Sequence, residues 1–218
     1  MEKATSTLAN LNRSLVPGVG QHAIDFSLLS IQGDSIQLKK YEGRLNIILW
    51  FSRGFTCPNC RGFMEVITED YDMLRENNIE IIQISPNLYQ SAVNFFGDEP
   101  PPYPMVCDPD KRLFATYSIG DKGKFKATTN AINSFAAAAK IGEFNKTVRA
   151  AYMDVADRSF LQRLHHHAMT ALNQSIIAID LQGIIRYRMD VDALGGIPSA
   201  PQMVQFLQDE SYAPPSLN

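Results

Sequence analysis

Two cysteines, Cys57 and Cys60, stand with two residues between them within LWFSRGFTCPNCRGFM, residues 49 to 64. Thiols at this spacing have three chemical uses: a dithiol that cycles with a disulfide, half of a metal site, or small apolar filler. A zinc site needs four ligands. The chain has only Cys107 and four histidines to complete one, and none of these stands in a second C-x-x-C or H-x3-H element. Filler accounts readily for one buried cysteine, but two at this spacing on a turn would be a coincidence. The spacing favours the redox pair.

Reactivity depends on what positions the pair. Before it, Leu45 to Phe51 is apolar apart from Asn46, as expected of a strand covered on both faces. After it, Phe63, Val66, Ile67 and Leu74 recur at helical spacing, so one helix is expected to run on to ENN at 76 to 78. Pro58 suits the first helical position, where its missing N–H costs nothing. That register makes Cys57 the N-cap and Cys60 the third helical residue. A Cys57 thiolate would then accept from the free N–H of Asn59 or Cys60, and the helix dipole would favour its charge. Such settings lower a thiol pKa from ~8.5 into the range of roughly 3.5 to 7.5. Arg53, Thr56 and Arg61 flank the pair and are candidates to support the thiolate or meet the substrate.

IEIIQIS, residues 79 to 85, reads as a second buried strand, which makes a βαβ unit with parallel pairing. IDFSLLSIQGDSIQLKKY, residues 24 to 41, reads as a hairpin about Gly33-Asp34. A helix is expected over 88 to 97, a brief strand in YPMVCDP and a short helix in KRLFATYS. Residues 120 to 172 are alanine-rich and read as helices inserted over the sheet. SIIAIDLQGIIRYRMD supplies two closing strands. SAPQMVQFLQ supplies a last helix, with Ser199 as N-cap and Pro201 in its first turn. Residues 1 to 17 read as a peripheral arm that could hold a helix at 4 to 15, residues 18 to 212 as one domain, and residues 213 to 218 as a tail.

The bulk numbers narrow the function. A chain of 218 residues with 45% hydrophobic and 20% charged residues suits one globular core with an insertion. The net charge of −3 gives no reason to expect a nucleic acid or an anionic membrane as partner. No apolar run approaches 18 residues, and the N-terminus has no apolar signal region. Three cysteines are too few for a disulfide framework, so the expected compartment is a reducing cytoplasm. The three histidines at 165 to 167 would fan around a helix and could not share one ion. Cys107 reads as a small buried residue, Trp50 and Phe51 as core, and Phe55 as either a docking surface or a side chain packed under the loop.

RGFTCPNCRGFM, behind IILWF and ahead of IEIIQISPN, resembles the peroxiredoxin-like redoxins of the alkyl hydroperoxide reductase/thiol-specific antioxidant family, C-x-x-C branch. The opening hairpin, YPMVCDPDKRLFATYSIG and IAIDLQGIIRYRMD are similar to the corresponding parts of that family. The resemblance spans about residues 18 to 120 and 174 to 208. It implies a thioredoxin-like, peroxiredoxin-type three-layer α/β/α fold with an N-terminal β-hairpin and a helical insertion. The implied function is a thiol-disulfide oxidoreductase or thiol-dependent peroxidase of antioxidant type, with Cys57 and Cys60 as the catalytic pair. Its substrate would be a peroxide or a disulfide, its reductant a thiol protein or small thiol, with no cofactor and no metal; a homodimer is left open. In the family's register the peroxide-reactive thiol falls on Cys60. Its usual Thr and Pro are then replaced by Cys57 and Arg53, and its Arg before the SIIAID strand by Asn173 and Gln174. The alternative is a redox-sensing or partner-binding module of the same fold, without efficient peroxidase turnover.

Overall fold

The computed structural model describes residues 16–120, 142, 146, 149, 173–191 and 196–208. The expected N-terminal helix, nearly all of the insertion, residues 213–218 and the three histidines lie outside these residues.

A five-stranded sheet is ordered β5-β4-β3-β6-β7. At its centre β3 (Asn46–Phe51) runs parallel to β4 (Ile79–Ser85), with Asn46 opposite Ile79 and Phe51 opposite Ile84. On its other side β3 pairs antiparallel with β6 (Gln174–Ile179), and β6 with β7 (Ile185–Val191). The short β5 (Met105–Cys107) extends the parallel half. A separate hairpin, β1 (Ser27–Leu29) and β2 (Ser35–Gln37), turns at Gly33, whose φ of 96° is open to glycine at little cost. The Ile31 N–H bonds Met105 O at 2.8 Å and ties the hairpin to the sheet edge.

Alternation along the strands builds two cores. Ile48, Trp50, Ile81, Ile176 and Ala178 face one, with Cys57, Cys60 and Met64 above them. Ile47, Leu49, Phe51, Ile82, Ile84 and Ile177 face the other. Helices α1 (Pro58–Glu69), α2 (Tyr71–Glu76), α3 (Tyr89–Phe96) and α5 (Ala200–Gln208) contribute to the first core. Helix α4 (Arg112–Thr116) and hairpin residue Ile36 cover the second. Three layers result. A bulge in β7 opposite Ala178 and Ile179 puts Tyr187 on the first face and Ile185 on the second. Tyr187 can therefore stack on Phe206 of α5, with ring centroids 3.9 Å apart.

The single helix expected after Pro58 is two helices, broken at Asp70, whose φ of −92° and ψ of 3° leave the helical path. Aspartate competes for its own backbone and is a poor helix interior residue. The break lets Leu74 enter the core and aims Tyr71 and Arg75 at Glu80, the buried charge of β4. Tyr71 Oη donates to Glu80 at 2.8 Å and Arg75 Nη1 at 3.0 Å. Helix α5 starts after Ser199 as expected, but the cap comes from Gln202, whose Oε1 accepts the Ser199 N–H at 2.9 Å.

Candidate active site

At the end of β3 the chain leaves the sheet at Ser52 and enters α1 at Pro58. The five residues between are anchored by buried polar groups from the neighbouring strand. Ser52 Oγ donates to Ile84 O at 3.3 Å and accepts from the Gly54 N–H at 3.1 Å and Gln83 Nε2 at 2.9 Å. Asn87 Oδ1 accepts from Ser85 Oγ at 2.6 Å and from the Phe55 N–H at 3.1 Å. Gly54 has a φ of +80°, and a Cβ there would stand 1.8 Å from Asn87 Oδ1. Backbone conformation and space both require glycine at this point. The Cys57 N–H returns to Gly54 O at 3.2 Å, and the Arg61 N–H opens the helix on Cys57 O at 3.1 Å.

Phe55 is fully buried and stacks on Phe95 of α3, with centroids 4.6 Å apart. Of the two readings open for Phe55, packing under the loop is the one observed. Arg61 is buried and donates from Nη1 to Phe55 O at 2.7 Å, so it braces the turn. Arg53 is the arginine whose charge reaches both sulfurs. Thr56 is half-buried and makes no hydrogen bond to either thiol. Cys107, expected to be buried, is half-buried at the end of β5 and packs against the same core as the pair.

Cys57 holds the N-cap position, as its register predicts, with extended φ and ψ of −87° and 118°. Its sulfur closes no cap hydrogen bond of standard geometry, although the N–H groups of Cys60 and Asn59 still act on it. The largest influence is a hydrogen bond from the Cys60 thiol. Burial opposes it, and the Arg53 charge and the two N–H groups reinforce it, bringing the Cys57 thiol down to about 6. Cys60 moves the other way, well above the usual thiol range. Burial is the main cause, followed by its donated hydrogen bond and the negative charge of Cys57. Both are free thiols, with 5% of Cys57 exposed and none of Cys60. The arrangement yields one activated nucleophile and one protonated partner beside it.

Sequence reasoning passed over three polar residues of this site, Ser52, Gln83 and Asn87, and reached Gln174 only through the resemblance, as the residue standing where the family has its Arg. Their signal is a polar residue set at the end of, or inside, an otherwise apolar strand, as in IEIIQIS and QSIIAI. Gln174 begins β6 and is fully buried. Its Oε1 accepts from Trp50 Nε1 at 3.2 Å and lies 3.5 Å from Cys60 Sγ. Among the described residues, no three His, Cys, Asp or Glu side chains gather as metal ligands, and no helix is long and apolar enough to cross a membrane.

The chain is similar in sequence and in fold to known proteins. A family model described as AhpC/TSA family matches residues 19–188. Thiol-disulfide oxidoreductase ResA of Bacillus cereus is 29% identical over 103 residues, 47% of this chain and 58% of that protein. ResA of Halalkalibacterium halodurans is 31% identical over 101 residues, 46% of this chain and 56% of that protein. The chain thus spans a little over half the length of these relatives. Reduced 2-Cys peroxiredoxin of Plasmodium vivax superposes with a TM-score of 0.58 at 12% identity, covering 87% of this chain and 94% of that one. The mitochondrial 2-Cys peroxiredoxin of Plasmodium falciparum gives 0.55 at 14% identity, covering 87% and 92%. These likenesses establish the thioredoxin-like, peroxiredoxin-type fold.

Proposed function

We propose that this chain, which belongs to the AhpC/TSA family, is a thiol-disulfide oxidoreductase that attacks with Cys57 and resolves with Cys60. The observation that carries the reading is the asymmetry of the pair. Cys57 stands at the start of α1 beside Arg53, drawn down to about 6, while Cys60 is enclosed and held up as its hydrogen-bond donor. At neutral pH the first is a thiolate and the second a thiol, and only a thiolate attacks a disulfide.

In the proposed cycle Cys57 Sγ attacks one sulfur of a substrate disulfide. The substrate S–S bond breaks, and the departing thiolate takes a proton from solvent. Cys60 then loses its proton and attacks Cys57 Sγ, releasing the second substrate thiol and forming the Cys57–Cys60 disulfide. Two electrons have passed to the substrate. An external dithiol returns the pair to the reduced state by the same exchange run in reverse. Run in the opposite direction, the site oxidises substrate dithiols.

A second reading, peroxidase activity of antioxidant type, is favoured by the buried Arg53 charge beside both sulfurs. A thiolate would take the distal oxygen of a hydroperoxide, leaving a sulfenic acid and an alcohol or water. The other cysteine would condense with the sulfenic acid, losing water to form the same disulfide. The proposal extends to a reducing compartment, the cytoplasm, on the evidence of the cysteine count alone.

One experiment separates these readings. Insulin disulfides and a hydroperoxide are offered in parallel with dithiothreitol, using the parent chain, Cys57→Ser and Cys60→Ser. The expected result is insulin reduction by the parent and a trapped mixed disulfide in Cys60→Ser alone. Trapping in Cys57→Ser alone would overturn the assignment of the nucleophile. Peroxide turnover without insulin reduction would establish the second reading, and stoichiometric oxidation without any turnover would point to a sensor.

A further inference from the structure

We propose that Gln174, oriented by Trp50, is a positioning residue that keeps Cys60 in its thiol form and so selects Cys57 as the nucleophile. The inference deepens the exchange reading above and rests on it for its functional meaning. Its structural core is a chain of three fully buried side chains from three elements: Trp50 on β3, Gln174 on β6 and Cys60 on α1.

An indole N–H can only donate, and a buried one needs an acceptor. Trp50 Nε1 finds it in Gln174 Oε1 at 3.2 Å. A carboxamide could otherwise turn over and exchange its oxygen for its NH2, and its orientation follows from its partners. Here a flip would set NH2 against the indole N–H, two donors face to face. Trp50 therefore fixes which end of Gln174 is oxygen. That same oxygen lies 3.5 Å from Cys60 Sγ.

The consequence for Cys60 follows from charge. A thiol can donate to a carbonyl oxygen; a thiolate would face its lone pairs in a medium with little screening. Cys60 has one proton to give: it serves Cys57 when that sulfur is ionised, and once Cys57 is bound in a mixed disulfide it turns to Gln174 Oε1, an acceptor within reach among the described residues. Gln174 Nε2 is buried without a partner among the described residues, so the amide is held at the cost of an unsatisfied donor. A side chain needed only to fill space would gain by being apolar. The other groups facing Cys60 are Cys57 and Arg53 in the loop and Tyr103 ahead of β5. Arg53 pulls Cys60 toward ionisation, so the glutamine oxygen acts against it.

The test titrates Cys60 alone, in Cys57→Ala/Cys107→Ala protein with 13C-labelled cysteine, following the Cβ chemical shift against pH. Gln174→Met should lower the midpoint by about 0.7 unit, roughly fivefold more thiolate at a given pH, the equivalent of a lost hydrogen bond of ~1 kcal/mol. Trp50→Phe should lower it too, because the freed amide can then turn its NH2 to the sulfur. Gln174→Glu retains the oxygen and adds charge, so it should raise the midpoint. The Trp50→Phe/Gln174→Met pair should shift it no further than Gln174→Met alone. Packing without an electrostatic role would lower stability and leave the midpoint within roughly 0.3 units in Gln174→Met, Trp50→Phe and their pair, a threshold of about 0.4 kcal/mol; that result overturns the proposal. Should Gln174→Met fail to fold, Trp50→Phe decides it: a lowered midpoint supports the proposal and an unmoved one overturns it. Because no substrate is present, the outcome is independent of whether insulin is reduced.

Discussion

The hydrogen bond from Cys60 is the largest influence lowering Cys57, which makes its removal the sharpest perturbation of the site. Cys60→Ala deletes the donor, while Cys60→Ser exchanges it for a hydroxyl able to donate in the same place. A hydrogen bond to a charged group is worth roughly 1.5–3 kcal/mol. At 1.36 kcal/mol per pKa unit, that is a rise of about one to two units for Cys57. From a start of about 6, the midpoint should reach roughly 7 to 8 in Cys60→Ala. The thiolate fraction at pH 7 would then fall from roughly nine-tenths to between about half and a tenth. Cys60→Ser should stay near the parent value. The assay is the pH profile of iodoacetamide alkylation at Cys57, read by mass spectrometry of the peptide that contains it, in a Cys107→Ala background. A midpoint that stays near 6 in Cys60→Ala would refute the reasoning. The helix N–H groups and Arg53 would then hold the thiolate unaided, and the pair would not be coupled through its own proton.

Further consequences can be measured on the same protein. Arg53→Met should raise the Cys57 midpoint by less than Cys60→Ala does, because its charge ranks behind the thiol donor; the same alkylation profile checks this. Gly54→Ala forces a left-handed alanine and displaces Asn87 from the Phe55 N–H, a loss of about 2–5 kcal/mol by urea denaturation. Stability of the reduced form should depend on pH with a definite sign. Cys57 is depressed in the folded chain from 9.0 to about 6, so its contribution is complete above 9, shrinks as pH falls and is gone below 6. Cys60 is raised and acts in the opposite sense, its contribution lost as pH rises beyond 9. Urea midpoints of the parent should therefore climb from pH 6 to 8.5 relative to Cys57→Ser, and the oxidised parent should show no such gain.

Much of this site could be read from sequence because its first part is local. The apolar run ending at Phe51, Pro58 at the first helical position and the apolar spacing beyond it all lie within about one βαβ unit, where period and capping rules apply directly. The N-cap position of Cys57 followed from that register and is observed. The break at Asp70 was not visible, because Val66, Ile67 and Leu74 keep helical spacing across it. What favours the break is a tertiary contact, Tyr71 and Arg75 reaching Glu80 on β4. The Trp50–Gln174–Cys60 chain was still less visible. Gln174 lies 124 residues from Trp50 and 114 from Cys60, and only the pairing of β6 against β3, Trp50 opposite Ile176, brings them together. No periodicity within either segment encodes that pairing.

A weaker signal was nonetheless present in the strands themselves. A strand buried on both faces loses stability for each polar residue it encloses unless that residue is bonded. β4 carries Gln83 and Ser85 near its end, and β6 opens on Gln174 and Ser175. Gln83, Ser85 and Gln174 are enclosed, and each binds the cysteine loop, the residue that anchors it, or a thiol. Because β3 and β4 run parallel while β6 runs antiparallel to β3, the end of β4 and the start of β6 lie at the same edge of the sheet. Polar residues at the end of a parallel strand and at the start of an antiparallel one therefore converge on a single place. Only the strand order was missing to turn that pattern into a site, and the βαβ unit supplied half of it.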